Sequence, residues 1–316
     1  MTSGTHAVGT APRVDWSPPS DATFALCLTH DVDRPYKGLR ALYYGLRERS
    51  VYHFKTALSA DNPYWQFEEI MRLEDDLGVR SAFYVLNEQH LLRERPVSDW
   101  FHPTHWVQHL GRYDVTAPDV RGVLRELESG GWEVGLHGSY HSPDDRDRLH
   151  EEVTTLEELL DRPILGGRQH YLRLEVPDTW RHHRAIGLRY DASLGSSTKC
   201  GFHAGYRPLQ PFDDEFVVFP LTIMEQALPD PGSDFEAARE CCDRLLLEAV
   251  EHEAVMTVLW HPRYFNEREF PGYRKVYRWL LERAIDLGAW VGPPGEMYRE
   301  LESRSRIGEP IENRNT

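Results

Sequence analysis

Three short segments of this 316-residue chain place carboxylates and imidazoles at spacings that suit joint chemistry. The first is Leu28-Thr29-His30-Asp31-Val32-Asp33, at the end of an apolar run. Residues two apart on a strand face the same side, so Asp31 and Asp33 can enter one pocket. Two carboxylates that close repel unless positive charge lies beside them, and a metal ion would supply it. Two turn-forming aspartates on a solvated loop are the plain alternative.

The second segment is His137-Gly138-Ser139-Tyr140-His141, closing the strand-like run Trp132–His137. Two histidines four apart converge on one ion if the chain turns helically after the strand, because i and i+4 share a helix face. Imidazole nitrogens suit Zn²⁺ and its first-row neighbours. In a chain with 16 histidines the spacing also arises by chance; its position at a strand's C-terminal end, where parallel α/β folds put their sites, is what raises it. The third segment, Leu259-Trp260-His261-Pro262, also closes an apolar strand. A histidine stiffened by the following proline suits an acid or base, and one that merely caps the strand at a barrel rim is the alternative.

The surrounding pattern must position these groups. Strand-like runs at Thr23–Thr29, Arg80–Leu86, Trp132–His137, Glu215–Ile223, Val255–Trp260 and Ala289–Val291, with an extended stretch at Ile164–Leu174 and a strand-to-loop passage at Tyr190–Ser197, alternate with helical stretches. The helices are expected at Tyr36–Leu58, Trp65–Leu77, Asp119–Ser129 (with Asp119 as N-cap), Arg146–Leu160, Thr179–Gly187, Asp234–His252, Tyr273–Leu287 and near Gly295–Glu302. Such alternation predicts a parallel sheet, open or closed. His90–Val115, rich in His, Trp and Pro, reads as an irregular excursion. Its Trp100, Trp106, His102, His105 and His109 suit stacking on a sugar ring, but such residues more often pack a long loop down.

Hydrophobic residues make up 40% of the chain and charged residues 28%, which supports a packed core and excludes wholesale disorder. The net charge of −15 argues against a nucleic-acid partner. The apolar stretches are strand-length, too short to span a membrane. The N-terminus lacks a basic start followed by an apolar block, from which a cytoplasmic protein is expected. Cys27, Cys200, Cys241 and Cys242 show no CxxC spacing and read as reduced thiols.

Taken in order, these segments resemble the polysaccharide deacetylases, the NodB-homology carbohydrate esterases, together with their cyclic-imide-hydrolysing relatives. The resemblance runs from about Thr23 to Tyr298. It implies that Asp31 is the base and that Asp33, His137 and His141 hold one divalent metal ion, Zn²⁺ foremost, with Co²⁺, Ni²⁺ or Mn²⁺ as alternatives. The residue between the carboxylates matches the imidase-like branch and leaves the roles of Asp31 and Asp33 exchangeable. Arg168, in Gly166-Gly167-Arg168-Gln169-His170-Tyr171, matches the arginine that orients the catalytic aspartate. The family's proline two residues on is replaced by His170, which puts that residue within reach of the site. Asp191, in Tyr190-Asp191-Ala192-Ser193-Leu194-Gly195, matches the fourth motif and would set the orientation or charge of His261. His261 itself matches Leu-x-His and would protonate the leaving amine.

The implied fold is an α/β, distorted (β/α) barrel of about seven strands. A flexible lead-in over 1–20, one catalytic domain over 21–303 with insertions near 34–62 and 90–119, and a polar tail over 304–316 complete the expected organisation. The implied activity is removal of N-acetyl groups from a sugar or glycan precursor by metal-activated water. A cyclic imide or amide hydrolase of the same fold is the alternative enzyme, and an inactive carbohydrate-binding homologue the alternative from another class. The oligomeric state is left open.

Overall fold

The computed structural model describes residues 11–304 except 20, 39–40, 42–45, 48, 59–61 and 213. Nine strand segments form one sheet: β1 (Ala25–Val32), β2 (Ala82–Leu86), β3 (Glu133–Gly138), β4 (Gly166–Gln169), β5 (Tyr190–Asp191), β6 (Val217–Val218), β7 (Leu221–Met224), β8 (Val255–Leu259) and β9 (Trp290–Gly292). They run β6-β5-β4-β3-β2-β1-β8-β7, with β9 paired to β1, and every pairing is parallel. Strands such as β1 (ALCLTHDV) and β8 (VMTVL) are buried along their whole length. A parallel strand covered on both faces reads as such a continuous run.

The sheet cannot lie flat. Only Phe219 and Pro220 separate β6 from β7, and three Cα steps reach about 11 Å at most. Laid open, eight strands would hold those two edges roughly 30 Å apart. The sheet therefore curls into a distorted (β/α) barrel. Pro220, which has no N–H to give a ladder, breaks the expected single strand Glu215–Ile223 into two.

Helices wrap the sheet: α1 (Val51–Leu58), α2 (Phe67–Leu77), α3 (Leu91–Glu94), α4 (Pro103–Gly111), α5 (Pro118–Ser129), α6 (Arg146–Leu160), α7 (Asp178–Ala185), α8 (Phe235–Glu251), α9 (Tyr273–Asp286) and α10 (Pro294–Ser303). Their starts follow capping chemistry. The Asp145 carboxylate accepts the Arg148 N–H at 3.0 Å, and Asp234 accepts that of Ala237 at 3.0 Å. At its other end α2 stops on Gly78, whose φ of 68° is a left-handed cap. A large apolar cluster, from Phe24 and Leu26 through Val153 and Leu246 to Leu280, packs helices on the sheet, and a second gathers Ala25, Cys27, Tyr84, Tyr190 and Phe219.

Several expectations are corrected. β1 runs on through the Asp31 segment to Val32. The excursion is helical, carrying α3, a 3₁₀ turn at Val97–Phe101 and α4. Asp119 lies inside the first turn of α5, behind Ala117 as cap and Pro118 as first residue. The lead-in is tied down over its second half, where Val14 and Trp16 are buried and the Trp16 indole donates to the Glu253 carbonyl at 2.6 Å. Residues 1–10 and the tail 305–316 lie outside the described residues, as do 39–40, 42–45 and 48 of the expected helix Tyr36–Leu58, which is helical over Val51–Leu58 and not over Tyr36–Gly38. No helix among the described residues is long and apolar enough to cross a membrane.

Candidate functional site

Alternation along β1 sorts its polar residues. His30 turns outward beneath α2 and α9, where its Nε2 lies 3.0 Å from Glu74 Oε1 and Tyr277 donates to that same oxygen at 2.6 Å. Thr29 and Asp31 turn the other way. The Arg168 guanidinium, brought in by β4, donates through Nη1 to Thr29 Oγ1 and Asp31 Oδ1, each at 2.8 Å, and through Nε to the Ala192 carbonyl at 2.8 Å. Burial alone would raise the Asp31 carboxyl. Arg168, with His261 beside it, outweighs that and holds the group below the ordinary carboxylate range.

His137, one residue before the end of β3, is in register with Arg168. Its Nδ1 lies 2.9 Å from the Arg168 carbonyl, so that nitrogen carries the proton and Nε2 keeps a free lone pair, 3.8 Å from Asp31 Oδ2. Burial lowers this imidazole to a pKa of about 4 and keeps it neutral. A histidine whose far nitrogen is fixed by a backbone acceptor is set up as a ligand. Asp33 sits just past β1 and receives Arg263 Nη1 at 3.2 and 3.4 Å from its two oxygens. Burial opposes ionisation there, but Arg263 and the nearby imidazoles hold Asp33 well below the usual range.

His261 follows β8. Its Nδ1 lies 2.7 Å from Glu225 Oε1, at the end of neighbouring β7. Burial works against the charged imidazole, and Glu225 and Asp33 outweigh it, raising His261 above its ordinary pKa. A cavity of about 170 Å³ is lined by Asp31, Asp33, His137, His170, His261 and Arg263, with Arg34 and Tyr171 also on its wall. That volume is small, since drug-sized pockets run to several hundred Å³.

Two predicted site residues are not brought here. His141 lines a separate surface groove with Arg95 and His182, its ring 4.4 Å from that of His105. The helical turn its convergence needed does not form. Residues 139–145 turn irregularly, fixed by Ser139 N–H to Glu152 at 3.1 Å and Tyr140 N–H to Glu88 at 3.0 Å, and α6 starts only at Arg146. Asp191 bonds the Trp180 indole at 3.1 Å, the Ser193 N–H at 3.0 Å and the Ser193 hydroxyl at 2.5 Å, and faces His183 at 3.4 Å. Asp191 is engaged by its own neighbours on β5, and the partner of His261 is Glu225 at the end of β7, the strand paired with β8. Through Ser193 Oγ, which accepts the Gln169 N–H at 2.8 Å, Asp191 supports the strand that carries Arg168. The excursion's Trp100 and Trp106 stay exposed, with the Trp100 indole donating to the Leu91 carbonyl and the Trp106 indole to the Trp100 carbonyl.

Sequence reasoning missed Glu225, Arg263 and Glu88. The available signals were an acid directly after an apolar strand and an arginine two places beyond His261. For a divalent ion, Asp33 and His137 supply two suitable donors. No three His, Cys, Asp or Glu side chains among the described residues are already gathered closely enough to hold one as they stand.

No protein-family model and no curated protein matches the sequence. Solved structures do match its fold. A protein assigned as a polysaccharide deacetylase from Mycobacterium smegmatis is 17% identical at a TM-score of 0.61, with 97% of this chain and 98% of that one covered. One so assigned from Pseudomonas aeruginosa PAO1 is 14% identical at 0.61, covering 94% and 96%. Puue allantoinase is 15% identical at 0.58, covering 94% and 95%. The chain therefore has the fold of the polysaccharide deacetylases, the NodB-homology type of distorted (β/α) barrel.

Proposed function

We propose that this chain is a metal-dependent hydrolase that removes the acetyl group from an N-acetylated sugar or glycan precursor. One observation carries the reading. A carboxylate held ionised, Asp31 on Arg168, and an imidazole held toward its protonated form, His261 on Glu225, line the same small cavity. Two titratable groups pushed in opposite directions mark a base and an acid.

Asp31 Oδ1 is occupied by Arg168, so Oδ2 is the oxygen left to take a proton from the attacking water. The water oxygen bonds to the acyl carbon and the carbon–nitrogen bond breaks. His261, whose Nδ1 is committed to Glu225, gives the Nε2 proton to the departing nitrogen. Acetate and a free amine leave. Asp33 and His137 fit a divalent ion, through an ionised carboxylate and an imidazole with its lone pair free. When bound, such an ion supplies Lewis acidity and brings the pKa of water toward ~7.

The Asp31-Val32-Asp33 spacing favours a second reading, ring opening of a cyclic imide, and the fold likeness to allantoinase is compatible with it. Zn²⁺- or Co²⁺-supplemented protein incubated with N-acetyl sugars (free, nucleotide-linked or lipid-linked) and with cyclic imides separates the two. Acetate appearing with an equal amount of amine supports deacetylation. Ring opening with no acetate from any sugar would overturn the substrate assignment in favour of the imide.

A further inference from the structure

We infer that the third protein ligand of the metal site is His170, in place of the His141 that the HxxxH spacing suggests. The inference rests on the metal-dependent reading above and completes its ligand set.

His170 is 4% exposed, and neither ring nitrogen has a hydrogen-bond partner. A buried imidazole with both nitrogens unsatisfied is costly unless something else occupies one of them. Its ring lies 5.1 Å from that of His137, and its Nε2 is 3.9 Å from Asp33 Oδ2, in the wall of the same cavity. Donors bound tetrahedrally to one zinc at 2.0–2.1 Å sit roughly 3.3 Å apart. Closing the site from the Asp33 side therefore needs a shift of about half an ångström.

The other nitrogen, Nδ1, faces Glu88 Oε2 at 3.9 Å. Glu88 is itself buried, and it accepts the N–H groups of Tyr140 at 3.0 Å and Gln89 at 3.1 Å. A fixed carboxylate behind a ligating histidine is the usual arrangement that orients the ring. The backbone gives independent support. Tyr171 and Leu172, directly after His170, both take left-handed φ values of 57° and 54°. Two consecutive side-chain-bearing residues in that region are strained, and such strain collects at functional sites. It turns the chain sharply at the end of β4 and stacks Tyr171 on the His170 ring at 4.2 Å. His170 directly follows the last residue of β4, the strand that carries Arg168.

The test titrates Co²⁺ into chelator-stripped protein and follows the visible d–d absorption and the bound stoichiometry. Wild type should bind one ion per chain. His170→Ala and the bulk-preserving His170→Gln should lose at least about 100-fold in affinity, while His141→Ala stays within about threefold of wild type. Glu88→Gln should lose roughly 10–100-fold, as outer carboxylates do. Far-UV circular dichroism identifies any variant that fails to fold, and His170→Gln carries the test if His170→Ala does. Metal loss in folded His141→Ala, or full retention in both His170 variants, would overturn His170 as the third ligand while leaving the hydrolase reading in place. Failure of wild type to bind would sink the metal site itself.

Discussion

The Glu225 carboxylate lies 2.7 Å from His261 Nδ1, joining the ends of two adjacent strands. This contact raises the imidazole against the effect of its own burial. A general acid must carry its proton, so activity falls as pH rises through the His261 pKa. Glu225→Gln removes the charge that raises it, and the descending limb of kcat/KM should move to lower pH. The loss near neutral pH should approach, without reaching, the roughly 10²–10⁴-fold cost of deleting a general acid. A pH–rate profile of the variant checks this, and an unmoved limb would refute the pairing.

Arg168 is fully buried and is bonded to Asp31. Arg168→Met leaves that carboxylate buried without its partner, which should cost about 3–5 kcal/mol of stability. The folded-state pKa of Asp31 is depressed, so the stability it contributes is present above its unfolded value and lost as pH falls through the folded one. Urea unfolding of the variant should accordingly show its deficit at neutral pH and a smaller one in acid.

His141 offers a pH prediction away from the cavity. Burial, with Arg95 and His105 nearby, lowers it to about 4. A histidine lowered on folding binds fewer protons folded than unfolded, so stability falls as pH drops from about 6.5 toward 4. His141→Gln should reduce the proton uptake on unfolding in that window, measured on metal-stripped protein. Equal uptake in both proteins would show that His141 titrates as if unfolded.

Gly167 sets the approach of β4 to β3. A Cβ there would lie 2.0 Å from the Leu136 carbonyl oxygen, a backbone atom that cannot swing aside. Gly167→Ala should destabilise by about 1–3 kcal/mol or more. It should also weaken Co²⁺ binding, because His170 follows directly on the end of the same strand. Thermal unfolding and the titration described above check both effects.

Much of the barrel could be read from the sequence because strands such as β2 and β8 are compact apolar runs between helices with strong periodicity, whereas β4 (GGRQ) and β5 (YD) carry no such run. α6 begins and ends where its spacing places it, at Arg146 and Leu160. The cavity's residues were readable where they lie at strand ends: two-residue alternation pointed to Asp31 and Asp33 and strand-end position to His137 and His261, while Arg168 came only from the family resemblance. The site was not readable where side chains leave a strand through irregular backbone. The His141 expectation assumed a helix that Ser139 and Tyr140, bonded to Glu152 and Glu88, do not allow. The pairing of Glu225 with His261 depends on which strands are neighbours in the sheet, and local spacing carries no record of that.

The most direct measurement of the central claim is acetate release from the best N-acetylated sugar by wild type beside Asp31→Asn, both loaded with metal. Wild type should release one acetate per amine formed. Asp31→Asn should keep its metal and lose roughly 10²–10⁴-fold in kcat, as removal of a general base does. Acetate release at the wild-type rate by Asp31→Asn would contradict the account.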